Sequence, residues 1–163
     1  MVSRDNRWYV SLNVLGTPII GLVDTGATYS YMSSQLQNCF KALRLSTYSI
    51  PAENVIVANG TVERVNSVTS LPYQLKIKGG LLAVRCLPNL DPNLILGMDF
   101  IKSVGLIMDA AKEEWWYESD VVTKYKFERN IPAVPKIACA GVRSLTPEES
   151  EQLNQVVEEA KRL

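Results

Sequence analysis

Ile19-Ile20-Gly21-Leu22-Val23-Asp24-Thr25-Gly26-Ala27 decides the reading of this 163-residue chain. Its first five residues form a short continuous apolar run, as expected of a buried strand. The strand ends on a carboxylate. Burying an ionised carboxylate is costly, so its place at the end of an apolar strand singles out Asp24. Gly26 permits a sharp turn and a close backbone approach. Thr25 can spend its hydroxyl on a backbone group and lock the loop, and Leu22 and Val23 keep the base of the site dry. Taken alone, Asp-Thr-Gly is also an ordinary turn sequence; the residues downstream change the weighing.

Val55-Ile56-Val57-Ala58 leads into Asn59-Gly60 and then Thr61-Val62-Glu63-Arg64-Val65. Asn-Gly between two β-type runs is a strong hairpin signal because both residues tolerate positive φ. This hairpin lies where a mobile flap would be needed. Asn59-Gly60-Thr61 also fits a glycosylation sequon, but the polar N-terminus lacks the apolar core of a signal peptide, and the turn is preferred. Further on, Leu94-Ile95-Leu96-Gly97 is a second apolar strand closed by glycine. A helical stretch follows over 98–104, with Gly105 as its stop.

The remaining pattern is many short strands. One spans 8–14 and turns at Gly16-Thr17-Pro18; one over 29–36 runs into a helical turn near Ser33-Ser34. Strands over 68–77 and 81–87 meet at Gly79-Gly80. A last pair, 106–108 and 115–117, flanks a turn over 109–114. Trp115 and Trp116 are adjacent on a strand and face opposite ways, which suits core or dimer contact better than ligand stacking. Such spacing predicts a small barrel-like or sandwich-like all-β domain. Asp99 is expected to act as helix N-terminal charge or cap, and Asp109 as a turn residue.

Composition changes after Glu118. Residues 119–145 contain Pro132 and Pro135 without periodicity and read as a linker. Within them, Lys124-Tyr125-Lys126-Phe127 interleaves basic and aromatic residues, and is read as solvated linker rather than nucleic-acid contact. Thr146-Pro147-Glu148-Glu149 is a capping box that opens a helix over 146–163 with a narrow apolar stripe.

Lysine plus arginine and aspartate plus glutamate both number 17, and histidine is absent. Serine–histidine and cysteine–histidine catalysis are therefore excluded within the chain, as are zinc sites built on imidazole. The zero net charge argues for neither a nucleic-acid partner nor a membrane surface. Cys39, Cys86 and Cys139 show no metal spacing and read as reduced, buried thiols of an intracellular protein.

A water-activating carboxylate pair suits a chain without histidine. Two carboxylates about 3 Å apart share one proton because both cannot ionise, and the aspartic-protease dyad is the standard example. One member takes a proton from water while the other protonates the substrate carbonyl oxygen. Leu22-Val23-Asp24-Thr25-Gly26-Ala27-Thr28 and Ile95-Leu96-Gly97-Met98-Asp99-Phe100 resemble the two signatures of the retropepsin family, most closely the proteases of gypsy-like LTR retrotransposons. The resemblance spans roughly residues 8–118. It implies a closed, retropepsin-like β-barrel with one short helix, and a symmetric homodimer in which each subunit contributes one Asp24, since a second Asp-Thr-Gly is lacking.

On this resemblance Asp24, Thr25 and Gly26 form the catalytic motif, with Thr25 gripping the partner's equivalent loop. Ala27, Thr28, Val57, Ala58, Asn59, Gly60 and Thr61 would bind substrate, an extended polypeptide held as an added strand. No cofactor or metal is implied. Thr28 and Tyr29 stand where vertebrate retroviral proteases place an acidic residue, and the flap tip carries a single glycine. The implied organisation is a tail over 1–7, a protease domain over 8–118, a linker over 119–145, and a helix over 146–163 leading toward a following polyprotein domain such as reverse transcriptase. The expected substrate is the element's own Gag-Pol polyprotein, cleaved in the cytoplasm or within virus-like particles. The alternatives are a catalytically silent or domesticated peptide-binding module, the protease domain of a ubiquitin-shuttle protein, and an unrelated β-barrel with a chance triplet.

Overall fold

Alternating burial organises the first hairpin. In β1 (Tyr9–Val14), Val10, Leu12 and Val14 point into the core, while Tyr9 is buried on the opposite face. The strand pairs antiparallel with β2 (Thr17–Val23), from Tyr9↔Leu22 to Val14↔Thr17. Leu15 (φ 50°) and Gly16 (φ 88°) alone make the turn. Two successive positive-φ residues match the twist of a tight hairpin, so Thr17 and Pro18 belong to the strand and not to the turn. The computed structural model describes residues 6–57 and 59–129; the linker beyond 129 and the helix expected over 146–163 lie outside them, as does Ala58.

The chain continues through β3 (Ser30–Met32), α1 (Ser34–Ala42), β4 (Thr47–Ile56), β5 (Val62–Leu75), β6 (Lys78–Cys86), β7 (Leu94–Leu96), α2 (Met98–Val104), β8 (Leu106–Asp109), β9 (Glu114–Tyr117) and β10 (Asp120–Lys126). The large sheet runs β1-β2-β7-β3-β6-β5-β4, and β5 returns to β1 through Asn13↔Gln74. Six strands thus close a barrel, and β4 hangs outside it, paired only with β5. A three-stranded meander, β8-β9-β10, packs beside the barrel.

The barrel is filled by Leu12, Leu71, Leu94, Leu96 and their neighbours, each of these four fully buried. Burial of each such side chain contributes about 1.5–3 kcal/mol. The meander is sealed on by Trp115 and Tyr117, which join the same core, and by the Tyr117 hydroxyl, which donates to the Leu75 carbonyl.

Several expectations need correction. Among the described residues there are two helices rather than one: the Ser33 hydroxyl accepts from the Leu36 amide and caps α1, and Leu36, Cys39 and Phe40 fall on its buried face. The β5–β6 turn is Lys76-Ile77, with Lys76 at φ 55°, rather than Gly79-Gly80. The two glycines lie inside β6 opposite Gln74 and Tyr73; the Tyr73 ring covers Gly80, where an added Cβ would fit only tightly, 3.1 Å from the hydroxyl. The stretch 120–126, expected as linker, is strand β10. Tyr125 stacks on Trp115 at 4.5 Å, Phe127 enters the core, and Glu128 exchanges backbone hydrogen bonds with Tyr9. Residues 121–124, Val-Val-Thr-Lys, are all exposed where the register slips, so the strand lacks the alternation that would mark it in sequence.

Candidate active site

The loop after β2 is shaped by the strand that crosses behind it. β7 lies between β2 and β3, parallel to the first (Val23↔Leu96) and antiparallel to the second (Tyr31↔Ile95). To pass from β2 to β3 the chain must bridge over the end of β7, and residues 24–29 make that bridge. The Asp24 amide donates to the Leu96 carbonyl at 2.9 Å, extending the β2–β7 ladder by one residue. The Ala27 amide closes a turn onto the Asp24 carbonyl at 3.3 Å. The Gly26 amide donates to Asp24 Oδ1 at 2.8 Å and aims the carboxylate.

Close approach, rather than positive φ, accounts for glycine here. A Cβ on Gly26 would lie 3.2 Å from Asp24 Oδ1, and Gly26 is not among the positive-φ glycines. Gly97 is more demanding. Its added Cβ would sit 2.8 Å from the Ala27 carbonyl oxygen and overlap the Tyr29 carbonyl, so the crossing strand must end on glycine.

Helix α2 holds the far half of the bridge. Its first two amides donate to the loop: Met98 N–H to the Ala27 carbonyl at 2.8 Å, Asp99 N–H to the Thr28 carbonyl at 3.2 Å. The Asp99 carboxylate accepts from the Ser30 hydroxyl at 2.8 Å, the Ser30 amide at 3.2 Å and the Phe100 amide at 2.7 Å. The Ser30 hydroxyl in turn accepts from the Gly97 amide at 3.0 Å. Asp99 therefore does more than cap a helix; it ties α2, β3 and β7 into one unit beneath the loop. Sequence reasoning missed Ser30, which is fully buried, because the partners are 69 residues apart.

On this frame Asp24 and Ala27 are half-buried, and Thr25, Gly26, Thr28 and Tyr29 are exposed. Leu22 and Val23 are buried beneath them. The Thr25 hydroxyl, expected to bond a backbone group, has no such bond among the described residues.

The β4–β5 hairpin forms an arm over the loop. Its tip is closed by Gly60 N–H to the Val57 carbonyl at 2.8 Å, Val57 N–H to the Thr61 carbonyl at 3.0 Å, and Thr61 N–H to Asn59 Oδ1 at 2.9 Å. Among the described residues of the tip only Gly60 takes positive φ, at 84°; Asn59 contributes its side chain instead. Ala27 of the loop and Val55 and Val57 of the arm pack on one apolar cluster built on Tyr31, Val65 and Leu87. The candidates Ala27 and Val57 are thus brought together, whereas Asn59, Gly60 and Thr61 stand exposed at the arm's tip.

A charged group that sequence reasoning missed sits beside this cluster. Arg85 Nε donates to Glu53 Oε2 at 2.9 Å, and its guanidinium lies 3.8 Å from the centre of the Tyr29 ring. The hydrogen bond from Arg85 holds the Glu53 carboxyl below its usual range. Burial pushes the Tyr31 phenol up.

Residues 10–103, more than half of the chain, match the family model described as "gag-polyprotein putative aspartyl protease". The fold is similar to the crystal structure of the retroviral protease-like domain of Ddi1 from Leishmania major, with a TM-score of 0.58 and 16% identity over 81% of this chain and 100% of that one. No curated protein matches the chain significantly. The loop carrying Asp-Thr-Gly, the crossing strand and all but the last residue of the helix that locks them fall within the matched residues, and the chain belongs to the gag-polyprotein aspartyl protease family, with a retropepsin-like fold.

Proposed function

We propose that the chain is an aspartic endopeptidase that works as a homodimer, with Asp24 of each subunit meeting across a two-fold axis. The observation that carries this reading is the setting of Asp24: its backbone is fixed on the crossing strand and its carboxylate aimed by the Gly26 amide, on a loop whose Thr25 and Gly26 are open for a second copy. The pair shares one proton. The ionised member takes a proton from water as the oxygen attacks the scissile carbonyl, and the protonated member gives its proton to the carbonyl oxygen. Collapse of the resulting diol, with proton transfer to the amide nitrogen, releases amine and acid.

The exposed Thr25 hydroxyl is free to bond the partner's loop. Substrate enters as an extended strand between loop and arm, against Ala27, Thr28 and Val57, with Ala58, Asn59, Gly60 and Thr61 closing over it. The family description favours a retroelement Gag-Pol polyprotein as substrate. Ddi1's protease-like domain, covered along its full length, favours a cellular protease domain as the second reading.

The test is cleavage of a peptide library by the wild type and by Asp24→Asn. Cleavage by the wild type alone, with specific activity falling on dilution below the dimer dissociation constant, is expected. Equal cleavage by both proteins, or activity indifferent to dilution, overturns the reading.

A further inference from the structure

The arm is poorly anchored for an element that must close over a site. β4 lies outside the barrel and pairs only with β5. That ladder breaks between Ser49 and Glu53, where the register shifts. Beyond the break the outer half of the arm, Glu53–Ile56 against Val62–Val65, relies on its own few pairs and the apolar cluster beneath. Glu53 is the first paired residue past the break, opposite Val65, and its carboxylate is the one held by Arg85.

Arg85 belongs to the barrel. It sits in β6, paired with Tyr31 of β3 and Val68 of β5, and its side chain is only 13% exposed. Nε and Nη2 reach both Glu53 oxygens, at 2.9 and 3.4 Å. A planar fork matched to a carboxylate is a directional tie that an ammonium does not reproduce. The same guanidinium carries the Tyr29 ring, and arginine on an aromatic face is attractive. Tyr29 is the last residue of the bridge that begins at Asp24, and its neighbour Ser30 is clamped by Asp99. One side chain therefore touches the base of the arm and the end of the active-site loop.

We infer that Arg85 is a positioning residue that couples the arm to the Asp24 loop through Glu53 on one side and Tyr29 on the other, so that loosening either loosens both. For catalysis this rests on the protease reading: the arm's closed setting and the loop's shape then form one equilibrium, and substrate stabilises both together. Coupling of this kind is reciprocal, which gives the idea a signature that a simple staple lacks.

The experiment measures amide exchange by NMR in the full chain for wild type, Glu53→Gln, Arg85→Met and Tyr29→Leu, alongside peptide cleavage. Glu53→Gln lies on the arm, yet is expected to speed exchange of the loop amides of Ala27 and Ser30 about fivefold or more, as well as those of Val57 and Gly60. Tyr29→Leu lies on the loop and is expected to speed Val57 and Gly60. The β1–β2 amides stay at wild-type rates. Combining Glu53→Gln with Arg85→Met adds little to either alone, and KM rises more than kcat falls.

Two results overturn the inference. One is an arm loosened by Glu53→Gln over a loop that exchanges at the wild-type rate. The other is equal acceleration everywhere, β1–β2 included, which marks general destabilisation. If wild-type protein cleaves no peptide, the protease reading falls while the exchange data still decide the coupling.

Discussion

Replacing Asp99 by alanine is expected to cost the fold far more than loss of a half-exposed carboxylate usually does. Three donors lose their acceptor at once: the Ser30 hydroxyl, the Ser30 amide and the Phe100 amide. Ser30 and Phe100 are both fully buried. An unpaired buried donor costs about 1–3 kcal/mol. Water can enter the space left by the carboxylate, so the low end applies to each, giving about 3 kcal/mol in total. For a domain of this size that corresponds to a fall in melting temperature of about 12 °C. Asp99→Asn keeps one acceptor oxygen and should lose about half as much. Asp109→Ala supplies the control: it removes the same charge and a single exposed bond to the Lys112 amide, for less than about 1 kcal/mol. Calorimetry on the three variants reads the result directly. If Asp99→Ala melts within 3 °C of wild type (roughly the uncertainty of this scaling), or no lower than Asp109→Ala, Asp99 is not the hub beneath the loop.

Two further outcomes follow from ionisable groups. Burial, with the Tyr125 and Tyr73 phenols nearby, pushes the Tyr117 phenol up to about 12; the stability its neutral form supplies is complete below the ordinary tyrosine pKa of about 10 and is lost as pH rises through its folded value. Tyr117→Phe should therefore cost about 1 kcal/mol at neutral pH by losing the bond to the Leu75 carbonyl, and should flatten the alkaline part of the unfolding profile; an unchanged profile refutes the assignment. Glu53 is depressed by the hydrogen bond from Arg85, so its contribution is present above the usual carboxylate pKa of about 4.3 and fades as pH falls through the lowered value. Differences between wild type and Glu53→Gln in arm exchange should then vanish toward strongly acidic pH, and their persistence there would show that the carboxylate is not the tie.

Elements punctuated locally were legible in the sequence. Helix α2 starts after Gly97 and stops at Gly105, which takes the left-handed conformation the stop requires; the β8–β9 pair and the apolar runs of β2 and β7 also stand where their residues put them. Helix α1 was mostly hidden because Gln35, Gln37 and Asn38 dilute its apolar face to Leu36, Cys39 and Phe40. Two glycines suggested a turn in β6 where instead they pair with β5 and the Tyr73 ring folds over Gly80, a contact between strands that no local rule reveals. The site divides in the same way. The position of Asp24, at the end of an apolar strand and on a turn, could be read from residue type and from the strand before it. The Ser30–Asp99 and Glu53–Arg85 pairs could not, since their partners lie 69 and 32 residues apart and each residue alone is ordinary.

The architecture separates a stiff half of the site from a soft one, and the strand order explains why. Threading β7 between β2 and β3 forces the Asp24 loop over a buried strand, where Leu96, Met98, Asp99 and Gly26 fix four of its backbone or carboxylate groups. Such over-determination keeps a carboxylate in place when solvation alone would let it swing. The arm, by contrast, is a two-stranded ribbon outside the closed barrel, with a ladder broken at its base and exposed apolar residues, Ile56 and Val62, on its outer face. Few buried contacts and an interrupted ladder put it at the low-stability end of the molecule, where opening is cheap. The Asp24 loop is thus the most densely tied part of the candidate site, and the arm is the part least able to resist opening. A single guanidinium between the two halves is then placed to let the soft one report on the stiff one.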